Sequence, residues 1–149
     1  GRVKRAQKYL QDAPFMLTYG DGLSNVKLDK LLEFHKKSGK AMTLTSVQPE
    51  GRFGALDLEG DLIRRFAEKP KGDGSWINGG FFVCEPKIFD YIKEGDSTIL
   101  ERGPLENLAH DRELVAYKHD SFWQPMDTLR DKNQLETLWS SGKAPWKVW

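Results

Sequence analysis

Phe15-Met16-Leu17-Thr18-Tyr19-Gly20-Asp21-Gly22 decides the reading of this chain. A compact apolar run, Pro14 to Thr18, has the look of a buried strand, and it stops at an acid held between two glycines. Leu28 to Lys37 then places Leu28, Leu31, Leu32 and His35 on one helical face, with Gly39 as the stop after the last turn. Ala41 to Val47 is rich in Thr and Val, as strands are. Strand, helix, strand is the unit of a parallel crossover, so the chain reads as an α/β protein.

Outward from this unit the style changes. Gly54 to Leu58 and Leu62 to Glu68 read as two short strands around Glu59-Gly60-Asp61, a hairpin. Residues 70–75 are a loop by composition. Trp76 to Cys84 reads as an aromatic strand interrupted by Asn78-Gly79-Gly80, where a ligand approaches or the strand bulges. Pro86 opens a short helix, and another covers Leu105 to Ala109. Leu114 to Lys118 and Phe122 to Met126 read as strands. Thr128 to Trp139 reads as a helix ending near Gly142. At the other end, Val3, Ala6 and Leu10 form the apolar side of a helix whose wet face carries Arg2, Lys4, Arg5 and Lys8.

Composition excludes several classes. The 149 residues make one ordinary domain, long enough to bury about two thirds of its unfolded surface. A formal net charge of +1 gives no support for nucleic-acid or membrane-surface binding. No apolar stretch approaches the ~20 residues of a membrane helix. A lone cysteine, Cys84, and no secretion signal fit a reducing cytoplasm, with the thiol buried and inert. Zinc spacing, a Gly-x-Ser-x-Gly elbow and a Gly-x-x-x-x-Gly-Lys-Ser/Thr loop are all missing. His35, His110 and His119 read as packing or surface residues.

What remains is oxygen chemistry. Asp21 and Asp127 each stand at the exit of an apolar strand, the edge where open α/β sheets bind ligands. Two carboxylates about 4 Å apart repel by roughly 4 kcal/mol at an effective dielectric near 20. Mg²⁺ answers that repulsion, since it takes one or two carboxylates together with substrate phosphates. Each acid also has a plainer reading. Asp21 suits a turn between glycines. Asp127 could cap the following helix, but Thr128-x-x-Asp131 resembles a capping box and competes for that task. Glu68-Lys69-Pro70 is either a solvated charge pair or a lysine aimed at a phosphate beside a sugar-binding acid.

Five segments in order carry a resemblance: 15–22, Gly51-Arg52-Phe53-Gly54-Ala55-Leu56, Phe66-Ala67-Glu68-Lys69-Pro70, Trp76 to Val83, and Phe122-Trp123-Gln124-Pro125-Met126-Asp127-Thr128. Together they are similar to the sugar-phosphate nucleotidyltransferases. The last segment, with Gly142 to Lys147, resembles especially the members that act on CTP and glucose 1-phosphate. The resemblance implies a Rossmann-like nucleotidyltransferase fold with a mixed, mainly parallel sheet. It implies CDP-glucose and pyrophosphate as products, with Mg²⁺ on Asp21 and Asp127. Lys69 would contact the sugar phosphate, Gly54, Glu68, Asn78 and Gly79 would hold the hexose, and Gly20 would lie near the ribose. A sugar-binding region over 51–85, a C-terminal helical tail over 128–149, a homo-oligomer and a place in lipopolysaccharide O-antigen synthesis follow from the same likeness. Family members open with a glycine-rich triphosphate loop, Gly-Gly-x-Gly-Thr-Arg-Leu, which this sequence lacks. The expectation is therefore a C-terminal portion with the N-terminal part of the sheet missing, inactive and poorly folded by itself. A metal-dependent glycosyltransferase and a non-catalytic sugar- or nucleotide-binding or scaffold module are the alternatives.

Overall fold

A computed structural model describes residues 1–10, 12–49, 55–68 and 75–149. The chain divides into two compact units. One comprises Gly1–Gly20, Lys27–Thr45 and Gly80–Tyr117; the other comprises Asp21–Val26, Ser46–Gly79 and Lys118–Trp149. Its helices and strands, in chain order, are α1 (Arg2–Ala6), β1 (Phe15–Thr18), β2 (Gly22–Ser24), α2 (Leu28–Ser38), β3 (Met42–Val47), β4 (Ala55–Glu59), β5 (Leu62–Ala67), β6 (Ile77–Cys84), α3 (Pro104–His110), β7 (Leu114–His119), β8 (Trp123–Pro125) and α4 (Leu129–Ser140).

The first unit is built on a four-stranded sheet of order β1-β6-β3-β7. β1 and β6 are antiparallel, with Phe15 opposite Cys84 and Thr18 opposite Phe81. Glu85 N–H, just past β6, donates to Ala41 O, just before β3, at 2.8 Å. The end of β6 thus meets the start of β3, so they too run antiparallel. Met42 N–H donates to Glu113 O at 3.0 Å, where β3 and β7 both begin, so these two are parallel. β1, β3 and β7 therefore share a direction and β6 runs against them: a mixed, mainly parallel sheet. The crossover β1-α2-β3 is present, with β6 inserted between its two strands. β1 stands at one edge of the sheet formed by the described residues.

The core of this unit gathers Met42, Phe82, Cys84, Ile88, Phe89, Leu105 and Leu108, with Val3, Leu10, Phe15 and Leu17 packed against it. Each such side chain, fully buried, contributes about 1.5–3 kcal/mol. β3 is buried on both faces, which explains its near-continuous apolar and Thr content. α2 buries Leu31 and His35, and Gly39 closes it at φ 60°. Leu28, expected on the same face, is 47% exposed because it stands in the first turn. His35 is tolerated inside because its ring faces Thr43 Oγ1 at 2.8 Å and Glu85 Oε1 at 3.1 Å. Gly80, read as a ligand approach or a bulge, has φ +79° and is approached instead by the ring of Tyr19.

The second unit holds two small ladders and α4. β2 pairs antiparallel with β8, Gly22 opposite Pro125 and Ser24 opposite Trp123. β4 and β5 form the expected hairpin, turned at Gly60 with φ 59°. Leu56, Leu58, Leu62, Ile63 and Phe66 of that hairpin are all more than half exposed. Val26, Val47, Leu135 and Ala144 are buried, and Phe122 stacks on Trp146 at 5.5 Å. The expected helical tail is helical to Ser140 only; Trp139 is half exposed under the Lys147 ammonium. Among the described residues no helix is long and apolar enough to cross a membrane.

Candidate functional site

The short β2–β8 ladder brings the backbone of both aspartates to one of its ends. Met126 N–H donates to Asp21 O at 2.8 Å, extending the ladder one step past Gly22 and Pro125. Asp21 enters β2 and Asp127 leaves β8 at the same end, although 105 residues separate them. Both are exposed. Among the described residues neither carboxylate has a hydrogen-bond or ion-pair partner.

Asp127 is spared from capping, as the Thr128 reading requires. Thr128 is the N-cap of α4: its Oγ1 accepts from Asp131 N–H at 3.2 Å, and Asp131 Oδ2 accepts from Thr128 N–H at 2.9 Å. Asp127 therefore lies one residue outside the helix with its oxygens uncommitted. Two hard oxygen donors of this kind suit Mg²⁺, which needs few protein ligands when phosphates supply the rest. The described residues hold no cluster of three or more His, Cys, Asp or Glu that could hold a metal by themselves.

A side chain links this ladder to the start of β6. Trp123 of β8 donates its indole N–H to Gly79 O at 2.8 Å. Gly79 is buried and Asn78 half-buried at the start of β6. Asp21, Asp127, Asn78 and Gly79 thus belong to one unit, tied by backbone and indole hydrogen bonds. Glu68, exposed, follows β5 in the same unit. Gly20 follows β1 in the first unit, and a Cβ built on it meets nothing within 4 Å among the described residues. Neither a positive φ nor a close neighbour among them requires glycine there. Lys69 and Gly54 lie outside the described residues.

The sequence reading missed the residues that hold the ladder in register. Phe122 O accepts from Ser24 Oγ at 2.9 Å, from His119 Nε2 at 3.1 Å and from Asn25 N–H at 3.3 Å. Since a carbonyl only accepts, His119 carries its proton on Nε2, which also lies 3.2 Å from Ser24 Oγ. The available signal was Trp123 itself, because the N–H of a half-buried indole usually finds an acceptor. Cys84 is inert as expected: burial first, then Glu85, pushes its thiol up to about 12.

The family model described as nucleotidyl transferase matches residues 2–131. Over its full length the chain is 53% identical to a glucose-1-phosphate cytidylyltransferase of Salmonella typhi. It is 43% identical, again over its full length, to a probable glucose-1-phosphate cytidylyltransferase of Bacillus subtilis. The chain spans 58% of the length of each. The crystal structure of HddC from Yersinia pseudotuberculosis superposes with a TM-score of 0.61 at 20% identity, over 89% of this chain and 58% of that one. At that identity the likeness shows the fold.

Proposed function

The chain belongs to the nucleotidyl transferase family, and from that premise we propose that it is part of an enzyme transferring a cytidylyl group from CTP to glucose 1-phosphate. The observation that carries the reading is the 53% identity, over the whole chain, to a glucose-1-phosphate cytidylyltransferase. The products are CDP-glucose and pyrophosphate. A phosphate oxygen of the sugar attacks the α-phosphorus of CTP, a P–O bond forms, and the α–β bridge breaks as pyrophosphate leaves. No protein nucleophile is needed, so catalysis is positioning and charge neutralisation.

Asp21 and Asp127 fit Mg²⁺ by their oxygen chemistry, their place at one end of the β2–β8 ladder and their uncommitted carboxylates, and we assign them to it. Bound there, the ion would supply neutralisation of the phosphate charge. Asn78, Gly79 and Glu68 are assigned to the hexose, together with Gly54. Lys69 is assigned to the sugar phosphate as a point charge. Gly20, glycine for no reason the fold supplies, suits close approach of the nucleotide ribose. The reading places the reaction in the cytoplasm, where CTP is supplied. Assembly of several copies belongs to the same proposal, supported by the exposed apolar side chains of β4 and β5.

Pyrophosphate release by the whole gene product, with glucose 1-phosphate and each nucleoside triphosphate in turn, tests the proposal. Turnover with CTP well above the others, abolished by chelation of divalent ions, is the expected result. No turnover with CTP, or an equal rate with every triphosphate, sinks it.

A further inference from the structure

We infer that Trp123 is a positioning residue that sets the hexose-holding backbone against the aspartate ladder. The inference rests on the proposed cytidylyl transfer and goes beyond it in naming a residue that touches neither metal nor phosphate. Ser24 and Trp123 face each other at the far end of the β2–β8 ladder from Asp21 and Asp127. Phe122, next to Trp123, is held through its carbonyl by Ser24, His119 and Asn25. That clamp fixes where β8 starts, and so where the indole projects. From this anchored position Trp123 Nε1–H reaches Gly79 O at 2.8 Å. Gly79 is buried, so its carbonyl has few substitute partners if the indole donor is lost. Asn78 precedes it on the same strand. One indole proton thus ties the segment assigned to the hexose to the strand that carries the aspartate.

A reaction of two phosphates needs this tie. The sugar must be held so that its phosphate meets the nucleotide at the ion, and a displacement near 1 Å is costly for such a geometry. The hexose half of the site is therefore sensitive to Trp123, while the nucleotide half is not.

Two variants of the whole gene product separate donor from bulk. Trp123→Phe keeps an aromatic ring and removes the N–H. Trp123→His is smaller, but its Nε2–H occupies the same ring position as the indole Nε1–H. Calorimetry with CDP-glucose and with CDP, in the presence of Mg²⁺, reads the two halves of the site without turnover. Trp123→Phe is expected to weaken CDP-glucose about tenfold, the effect of one lost hydrogen bond to a buried acceptor, with CDP within about twofold. Trp123→His is expected to bind CDP-glucose more tightly than Trp123→Phe does. The KM for glucose 1-phosphate should follow the same order. Equal weakening of both ligands, no weakening by Phe, or a Phe variant better than His overturns the inference and leaves the proposed function intact. If Trp123→Phe does not fold, the His variant decides alone: a tenfold loss confined to CDP-glucose with the donor retained refutes the role. Wild-type protein that binds neither ligand removes the functional reading, and the inference with it.

Discussion

Replacing Gly80 with alanine tests the packing of the first unit at its tightest point. Gly80 has φ +79°, a region that costs an L side chain roughly 1–2 kcal/mol. An added Cβ would also lie 2.4 Å from Tyr19 Cδ2, 3.1 Å from Cε2 and 3.2 Å from Cγ. The ring must retreat about 1 Å to restore ordinary contact. It is poorly placed to do so. Its ring stands nearly perpendicular to that of Phe82 at 5.4 Å, its hydroxyl donates to Glu101, and its own N–H donates to Gly80 O at 3.2 Å. Overpacking of a held ring adds about 1–3 kcal/mol. The sum is a loss of about 2–5 kcal/mol, read as a lower urea midpoint followed by circular dichroism. Tyr19→Ala supplies the control. In that background the clash is gone, and Gly80→Ala should cost only the backbone part, about 1–2 kcal/mol. A loss under about 1 kcal/mol in the wild-type background, or an equal loss in both, refutes the reasoning.

Asp21→Asn and Asp127→Asn should each lower turnover by about 10²-fold or more. The melting temperature should stay within about 1 °C, because exposed uncommitted side chains contribute little to stability; a drop of several degrees would make their role structural. Thr128→Val removes the acceptor for Asp131 N–H at the start of α4 and should cost about 1 kcal/mol in denaturant unfolding; no change would mean that the cap is idle. Glu33 is held down to about 2 by hydrogen bonds first from Lys37 and then from Lys30, against an ordinary value of 4.5. A depressed carboxylate contributes stability above its unfolded value and loses it as pH falls through the folded one. Glu33→Gln should therefore narrow its stability gap to wild type between pH 4.5 and 2, and a gap constant across that window contradicts the assignment.

The elements that periodicity marks were legible in the sequence. β1, α2, β3, the hairpin, β6, β7 and α4 stand within a residue or two of their expected bounds. They do so because each carries a strong local signal: a strand run, a 3.6-residue face, or a glycine stop. β2 was not legible. Gly22-Leu23-Ser24 is too short to show a period, and its pairing with β8 depends on residues a hundred positions away. The insertion of β6 between β1 and β3 was invisible for the same reason, since a crossover pattern fixes direction but not which strand fills the gap. Exposure was only partly legible: spacing marks Leu28 as a core position, but the first turn of α2 leaves it half in water.

The aspartates show how far local reading reaches and where it stops. Each is a plausible turn or cap residue by itself, and what joined them was their common place at the exit of an apolar strand, together with the chain's resemblance to a family. The fold supplies the missing link through three residues that no motif marks. Ser24, Asn25 and His119 converge on one carbonyl and pin a ladder only three pairs long. A ladder so short has little stability of its own. Its register is therefore set by that clamp at one end, and the Asp21–Met126 bond is the consequence at the other. A one-residue slip would break the Asp21–Met126 bond and turn each side chain of the slipped strand to the opposite face. His119 and Ser24 thus bear on the acid pair without approaching it, a dependence of site on scaffold that spacing along the chain cannot encode.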